Sequence, residues 1–358
     1  MPSSILAPTN FSAAELDEYL ARGWRPLGQR IYTADFIQLE LGEIFSVVPT
    51  RLALATHQWR KSQRKLLRKN NGIFRVEIRR AEITREKLRV NEQYLLANPT
   101  KSIEELHIHT EFDGRRIFNT LECAVYKGEE LVAFSFFDCG QDSVYSKAGI
   151  YHPAYKDYSL GTYTMLLELE WCKKNGIKYY YPGYISPDTP LFDYKAKIGN
   201  IDFWSLQSRQ WLPYSTFDIA KHGPLTLILD HTEQLQHGLE SFEYRAPLYQ
   251  YVFFEMQMMQ KGVYKLLEQP FFLLLHCPVA QKCWVATYNI DLDAYECWAC
   301  DFNRMITFFE QAPKGHPLFR YVLELRKLLF RTASVAEYLL KLQGHLLPQQ
   351  QNLSPREY

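Results

Sequence analysis

The feature that most constrains the fold is a run of strand-like segments in the middle of the chain. Two of them, Asn119 to Tyr126 and Leu131 to Asp138, are separated by Lys127-Gly128, which suits a tight hairpin turn. A third strand is predicted over Ser143 to Tyr151. The sequence therefore predicts a sheet that contains three antiparallel strands.

A helix is predicted after the third strand, and the sequence marks both of its ends. Ser159 suits the N-cap, and Gly176 suits the stop after the last turn. The residues that recur between them at helical spacing are Leu160, Tyr163, Leu167 and Trp171. A further strand is predicted over Lys178 to Tyr181. This order of elements is typical of a GNAT-type acyltransferase core, although propensity alone leaves other α+β folds open.

Three parts are expected along the chain. Residues 1–83 are predicted to form a small N-terminal domain with an amphipathic helix near Glu15 to Arg22. Residues 84–223 are predicted to form the acyltransferase domain, and residues 224–358 a mainly helical C-terminal extension. The helix candidates in the extension are Leu248 to Leu267, Phe302 to Phe309 and Leu318 to Leu340.

Composition and hydropathy favour a cytoplasmic protein. The longest apolar stretches, such as Pro270 to Leu275, are far shorter than the roughly 20 residues that cross a bilayer. Residues Met1 to Asn10 lack the basic and apolar regions of a secretory signal. The seven cysteines fit a reducing compartment better than a disulfide framework. We therefore expect a cytoplasmic location and no membrane partner.

A strongly basic segment runs from Thr56 to Arg80, where Glu77 is the only acidic residue. Six cations in it are spaced so that they share one side of a helix: Arg60, Lys61, Arg64, Lys65, Arg68 and Lys69. Like charges at this spacing repel one another in an isolated helix, so the pattern indicates a polyanionic partner such as an RNA backbone. Three downstream cations are expected to extend this surface: Arg75, Arg79 and Arg80. The alternative is a solvated helix face.

Three linked blocks carry a family resemblance. They are Ser159 to Tyr163, Tyr179 to Ile185, and Tyr194 to Lys197. In this order and approximate spacing they resemble the arginyl-tRNA-protein transferases of the N-degron pathway, a family that includes bacterial relatives that transfer leucine. The resemblance covers about residues 19 to 215. It implies transfer of arginine or leucine from charged tRNA to the N-terminal α-amine of an acceptor protein, with aminoacyl-tRNA as co-substrate and no cofactor.

Site residues are assigned from chemistry together with this resemblance. The catalytic candidates are Asp138, Tyr180, Tyr181 and Tyr184. The tyrosines offer stacking faces for the terminal adenine and hydroxyls for ester oxygens, and the aspartate could orient or deprotonate the amine. The substrate-binding candidates are Ser159, Gly161, Gly183, Tyr194, Lys195 and Lys197. A half-buried aromatic strand and an aspartate that caps a turn are the structural alternatives.

The chain departs from the family in two places. Members usually carry paired cysteines for a metal or cluster in the first domain, whereas Tyr32 to Phe36 contains none. Metal-dependent or redox regulation through that domain is therefore not expected. Where the family has a cysteine-proline pair and basic or methionine residues, this chain has Thr189 to Asp193. Asp193 is an acid where the family usually has a cation, which could change the N-terminal residue that the protein accepts.

The last third of the chain contains a group of possible metal ligands. They are His276, Cys277, Cys283, Cys297 and Cys300. Cys297 and Cys300 have the CxxC spacing of a zinc or iron-sulfur site. The spacing of Cys277 and Cys283 is too wide for a standard knuckle, and buried cysteines are common in apolar regions. We predict no metal and keep a site at these cysteines as the alternative.

Two other functions remain open from the sequence. One is a CoA-dependent GNAT N-acyltransferase, but such enzymes use a glycine-rich turn at the helix start, and Tyr155 to Gly161 contains a single glycine. The other is a non-catalytic RNA-binding relative of the transferases. The missing N-terminal cysteines and Asp193 keep that alternative open.

Overall fold

A computed structural model describes residues 3–38, 43–98, 105–256, 265–279, 281–304 and 316–350. The strands are β1 Ser3–Leu6, β2 Arg25–Leu27, β3 Arg30–Ala34, β4 Phe36–Gln38, β5 Ile44–Ser46, β6 Val48–Ala53, β7 Arg75–Arg80, β8 Thr120–Lys127, β9 Glu130–Cys139, β10 Ser143–Tyr151, β11 Tyr179–Ile185, β12 Asp202–Ser205, β13 Gln210–Pro213, β14 Leu248–Tyr251, β15 Phe271–Val279, β16 Lys282–Asn289, β17 Ala294–Arg304, β18 Leu318–Phe319 and β19 Tyr321–Thr332. The helices are α1 Ala13–Ala21, α2 Lys61–Asn71, α3 Arg85–Ala97, α4 Leu160–Lys174, α5 Asp193–Ala196, α6 Ile219–His222, α7 Pro224–Glu240 and α8 Val335–Gln350.

An eight-stranded sheet forms the centre of the protein, in the order β13-β12-β6-β11-β10-β9-β8-β7. The pair β10 and β11 is parallel, and the other neighbours are antiparallel. The predicted α+β fold is confirmed, as is the order of three antiparallel strands, a helix and a further strand. Strands β6 and β7 precede residue 84, so this sheet extends into the segment assigned to the N-terminal domain. The division into three domains stays a prediction.

Strand β9 is apolar on both faces because a helix covers each of them. Phe137 packs in one core with residues of α4, and Phe134 and Phe136 pack in another with Val90 and Tyr94 of α3. The predicted N-cap, Ser159, does precede α4, but its backbone is left-handed with φ of 51°, and its side chain accepts no capping hydrogen bond. The sequence therefore predicted correctly where the helix begins, but Ser159 does not cap it through its side chain.

The prediction of a mainly helical C-terminal extension is wrong. The region contains a six-stranded sheet, in the order β18-β14-β15-β16-β17-β19, against which α7 and α8 pack. The candidate Leu248 to Leu267 begins with β14, and Leu318 to Leu340 contains β18 and β19 before α8 begins. Apolar runs of this kind fit either a helix or a strand, and here they form strands because they pair with strands distant in the sequence. Residues 257–264 and 305–309 of the candidates lie outside the described residues.

The basic segment also differs from its prediction in one part. Helix α2 forms as expected, but Arg75, Arg79 and Arg80 lie on β7. Arg75 and Arg79 both pair with Glu77, and Arg79 also pairs with the buried Glu122. These two arginines therefore do not extend the helix surface. None of the helices in the described part of the chain is long and apolar enough to span a bilayer.

Candidate functional site

A cleft of about 720 Å³ opens where the parallel strands β10 and β11 stop pairing. Their register runs from Ser143 opposite Tyr179 to Tyr145 opposite Tyr181 and ends there. Both strands are irregular just beyond that point, and Pro182 has no N–H to continue a ladder. Residues of both strands then line the cleft: Ser146, Lys147, Ala148, Gly149, Pro182, Gly183 and Tyr184.

The start of α4 forms one wall of the cleft. Ser159 and Gly161, two of the predicted binding residues, both line it. The first turn of a 15-residue helix presents backbone N–H groups without intrahelical acceptors, and these attract negative charge. A phosphate or an ester oxygen fits this wall.

The other wall consists of aromatic rings around a lysine. Lys195 Nζ lies 4.7 Å from the ring centre of Tyr184 and 4.9 Å from that of Phe192. Tyr184, Tyr194 and Lys195 all line the cleft; the sequence assigned the first to catalysis and the other two to substrate binding. Gly183 has φ of 101°, and a Cβ built there would lie 3.1 Å from Lys195 Nζ. This glycine therefore lets the lysine approach the strand. Lys197 does not line the cleft.

Three of the four predicted catalytic residues also lie outside the cleft lining. Tyr180 is fully buried and donates its hydroxyl to Glu168 at 2.7 Å, so its ring offers no stacking face. Tyr181 points to the opposite face of β11 and contacts Trp211. Asp138 is buried against Lys147, 2.9 Å from its Nζ. Tyr184 alone of the four lines the cleft, and the catalytic assignments stay predictions.

The floor of the cleft contains an acid that the sequence analysis did not select. Glu168 accepts hydrogen bonds from Ser135 Oγ at 2.5 Å and from the Tyr180 hydroxyl at 2.7 Å. Burial raises the pKa of Glu168 to about 7, although its hydroxyl partners, which include Ser146, favour the charged form. The signal was available, because Thr164 and Glu168 are polar residues four apart on the buried face of α4.

The buried Glu168 predicts a pH-dependent stability difference. Its pKa in the folded protein is above the ordinary value of 4.5, so the fold favours the protonated form. Wild-type protein should lose up to about 3 kcal/mol relative to Glu168→Gln as pH rises from 4.5 through 7. Burial also raises the pKa values of Asp35 and Glu268 to about 7. Both residues are present in wild type and in Glu168→Gln, so their contributions cancel in the stability difference. Denaturant unfolding at several pH values would measure the difference. A stability difference that does not change with pH would contradict the raised pKa of Glu168.

His109 and Lys147 were also missed, and both line the cleft. Burial lowers the pKa of His109 to about 3, so its ring is neutral. Neither ring nitrogen has a hydrogen-bond partner among the described residues, and the ring stacks on Phe136. Lys147 Nζ donates to the carbonyl oxygens of Gly28 and His109, each at 3.0 Å. These contacts connect β10 to two loops at the cleft.

Helix α2 connects the segments that flank the cleft. Near its start, the Arg60 guanidinium donates to the carbonyl oxygens of Lys197 and Gly199 at 3.2 and 3.0 Å. Near its end, Asn70 donates to the Tyr158 carbonyl oxygen at 2.9 Å, next to the start of α4. Arg60 itself is the N-cap residue and lies outside the regular helix. The five cations within α2 are exposed: Lys61, Arg64, Lys65, Arg68 and Lys69.

The predicted metal alternative finds little support in the described residues. No group of three or more His, Cys, Asp or Glu side chains there is arranged to hold a metal ion. Cys283 lies opposite Cys300 in the pairing of β16 with β17, and both are buried. Burial also raises the pKa of Cys297 to about 12, so without a metal it is a neutral thiol. The side chain of Cys277 is outside the described residues.

Comparison with known proteins matches the segment that supplies most of the cleft lining, although Pro26, Leu27, Gly28 and Tyr32 lie outside it. Residues 79–204 match the family model described as arginine-tRNA-protein transferase, C terminus. An aspartate/glutamate leucyltransferase of Leptospira interrogans is 28% identical over 141 residues, which are 38% of this chain and 54% of that protein. The chain thus spans about half the length of that relative. Arginyl-tRNA--protein transferase 1 of Saccharomyces cerevisiae is 35% identical over 78 residues, 22% of this chain and 15% of that protein. A solved tandem GNAT protein from the clavulanic acid pathway aligns with a TM-score of 0.31 and 12% identity, over 55% of this chain and 58% of that one.

Proposed function

We propose that this chain, whose residues 79–204 belong to the arginine-tRNA-protein transferase family, moves arginine or leucine from charged tRNA to the N-terminal amine of an acceptor protein. The observation that carries the proposal is the position of α2. Its exposed cations lie on a helix that is hydrogen bonded to both flanks of the cleft. A tRNA backbone along α2 would bring the charged 3′ end to the cleft mouth, because backbone contacts position a nucleic acid without reading its sequence.

The chemistry needs alignment more than a strong catalytic group. The donor is an ester, so the acceptor amine nitrogen bonds to its carbonyl carbon while the bond to the ribose oxygen breaks. The proton released by the amine ends on that ribose oxygen. An α-amino group has a pKa near 8, so roughly a tenth is unprotonated at pH 7 and positioning supplies much of the rate. We infer that Tyr184 and the start of α4 position the ester, that no metal or cofactor takes part, and that the protein works in the cytoplasm.

The direct test is a transfer assay. The protein is incubated with radiolabelled arginyl-tRNA or leucyl-tRNA and with peptides that begin with Asp, Glu or Arg. Labelled peptide from one of the two donors is the expected result, and the assay also identifies the amino acid and the acceptor residue. A parallel incubation uses labelled acetyl-CoA. Labelled peptide from acetyl-CoA alone, or tRNA binding without transfer from either donor, would overturn the proposal.

A pair of glycine variants tests whether the cleft is the site. Gly183→Ala places a methyl group 3.1 Å from Lys195 Nζ at a φ of 101°, so the lysine must move. Gly128→Ala is the matched control, because Gly128 has φ of 60° in the β8–β9 hairpin and open space around it. Both variants should lose about 1 kcal/mol of stability from the strained backbone. Only Gly183→Ala should lower the transfer rate, by roughly 10-fold or more. Equal rates for the two variants would place the reaction elsewhere.

A further inference from the structure

Glu168 is a buried acid without a cation. Its side chain is fully buried, and no ion pair among the described residues includes it. Two other fully buried acids in the same sheet region are neutralised. Glu122 pairs with Lys87 at 2.6 Å, and Asp138 pairs with Lys147 at 2.9 Å. A buried carboxylate that has only neutral partners is unfavourable, so this position differs from its neighbours.

The cleft gives this acid access to a ligand. Glu168 lines it together with three polar side chains: Ser135, Ser146 and Thr164. Three hydroxyls fix the carboxylate from three strands: Ser135 on β9, Ser146 on β10 and Tyr180 on β11. A carboxylate accepts about four hydrogen bonds. With three hydroxyl partners, Glu168 can accept one further hydrogen bond, from a donor that enters through the cleft.

The charges of the cleft are ordered from mouth to floor. Lys156 is exposed and Lys195 is half-buried, and both line the cleft, while further exposed cations belong to α2, which is hydrogen bonded to the segments on both sides of it. The floor carries Glu168, while the neighbouring Lys147 is already paired with Asp138 and His109 is neutral. An elongated ligand with an anionic outer part and a cationic inner end matches this order. Aminoacyl-tRNA has that form, since phosphates precede the ribose and a protonated amine follows the ester, whereas a simple acyl thioester ends in an uncharged chain.

We propose that Glu168 binds the positively charged nitrogen of the aminoacyl donor at the floor of the cleft. The inference rests on the proposed function for the identity of the donor. The cation has two sources: the α-ammonium that every aminoacyl-tRNA carries, and the side-chain guanidinium that arginyl-tRNA adds. Both form charge-assisted hydrogen bonds with a carboxylate. In either case Glu168 is a binding residue that fixes the donor carbonyl relative to the acceptor amine.

Small amides that lack the tRNA test the site without transfer. Calorimetric titrations measure the binding of L-argininamide, L-leucinamide and 4-methylpentanamide, which is leucinamide without its amine, to wild-type protein and to Glu168→Gln. Glu170→Gln is the matched control, because Glu170 is on the same helix and exposed to solvent. Wild type and Glu170→Gln should bind the two cationic amides and not the neutral one. Glu168→Gln should bind them at least roughly 10-fold more weakly.

The outcomes separate the two sources of charge. A loss for both amides in Glu168→Gln assigns the α-ammonium, and a loss for argininamide alone assigns the guanidinium. Absence of binding to wild type, equal binding of 4-methylpentanamide, or equal binding by the two glutamine variants would each overturn the proposal. Denaturant unfolding confirms that Glu168→Gln is folded, and Tyr180→Phe, which removes one hydroxyl from Glu168 without altering its charge, should still bind the cations.

The same variants in the transfer assay distinguish failure of this inference from failure of the proposed function. Amide binding that depends on Glu168, without transfer from either charged tRNA, would leave the cation site standing and reject the transferase. Transfer by Glu168→Gln at the wild-type rate would leave the transferase standing and reject the site.

Discussion

Asp138→Ala should lower the free energy of unfolding by about 3–5 kcal/mol, because it leaves a buried ammonium without its carboxylate. Lys147 is only 2% exposed, and its Nζ lies 2.9 Å from Asp138 Oδ2. Its other hydrogen-bond partners are the neutral carbonyl oxygens of Gly28 and His109. The aspartate also accepts a hydrogen bond from Thr120 Oγ1 at 2.6 Å. Denaturant titration of the variant and of wild type would measure the loss.

A double variant separates this structural role from the catalytic role that the sequence suggested. Asp138→Asn combined with Lys147→Met removes both charges, and replacement of a buried ion pair by neutral residues is often close to neutral for stability. The double variant should therefore recover most of the stability that Asp138→Ala loses. If Asp138→Ala keeps wild-type stability and loses only transfer, the aspartate acts in the reaction instead.

Arg64→Ala with Arg68→Ala should weaken binding of charged tRNA by roughly 10-fold or more near 0.1 M salt, if α2 contacts the phosphate backbone. Both side chains are exposed on the helix, so the fold should be unaffected. Each lost phosphate contact should also reduce the slope of log affinity against log salt by about one. Filter binding or anisotropy over a salt series would measure both quantities.

Two further sets of variants serve as comparisons for the tRNA affinity of the α2 double variant. Lys282→Ala with Lys327→Ala removes the same charge from exposed positions on the C-terminal sheet and should leave the affinity unchanged. Adding Arg60→Ala to the α2 pair should have a further effect, because the Arg60 guanidinium also holds the carbonyl oxygens of Lys197 and Gly199. Equal affinity for the two double variants would remove α2 from the tRNA interface.

The local sequence pattern predicted an element correctly where residues within that element mark its ends. Gly128 and Gly176, both with positive φ, mark the β8–β9 hairpin and the end of α4, and the strands and helix between them formed close to their predicted bounds. The spacing of the cations likewise predicted α2. In the C-terminal region the same method failed. Residues 321–332 are a strand because they pair with β17, and no periodicity within the segment records that partner.

Some of the predicted site residues lie together in the structure and others do not, and their roles stay predictions. The blocks around Ser159, Tyr184 and Lys195 do meet at one cleft. Tyr180 and Tyr184 are four residues apart on β11, yet Tyr180 is buried against Glu168 and Tyr184 lines the cleft. The pairing of β11 is irregular between them. A string of tyrosines could not reveal that difference.

The sequence by itself determined the local elements and the stretch of chain that forms the cleft, because hydrophobic period, turn residues and charge spacing act between neighbours along the chain. Tertiary structure alone decided which polar groups meet. Glu168, Ser135 and Tyr180 converge from one helix and two strands, and Asp138 forms a buried ion pair with Lys147. Such contacts depend on the packing of segments far apart in the chain, and burial then sets the charge state of each group.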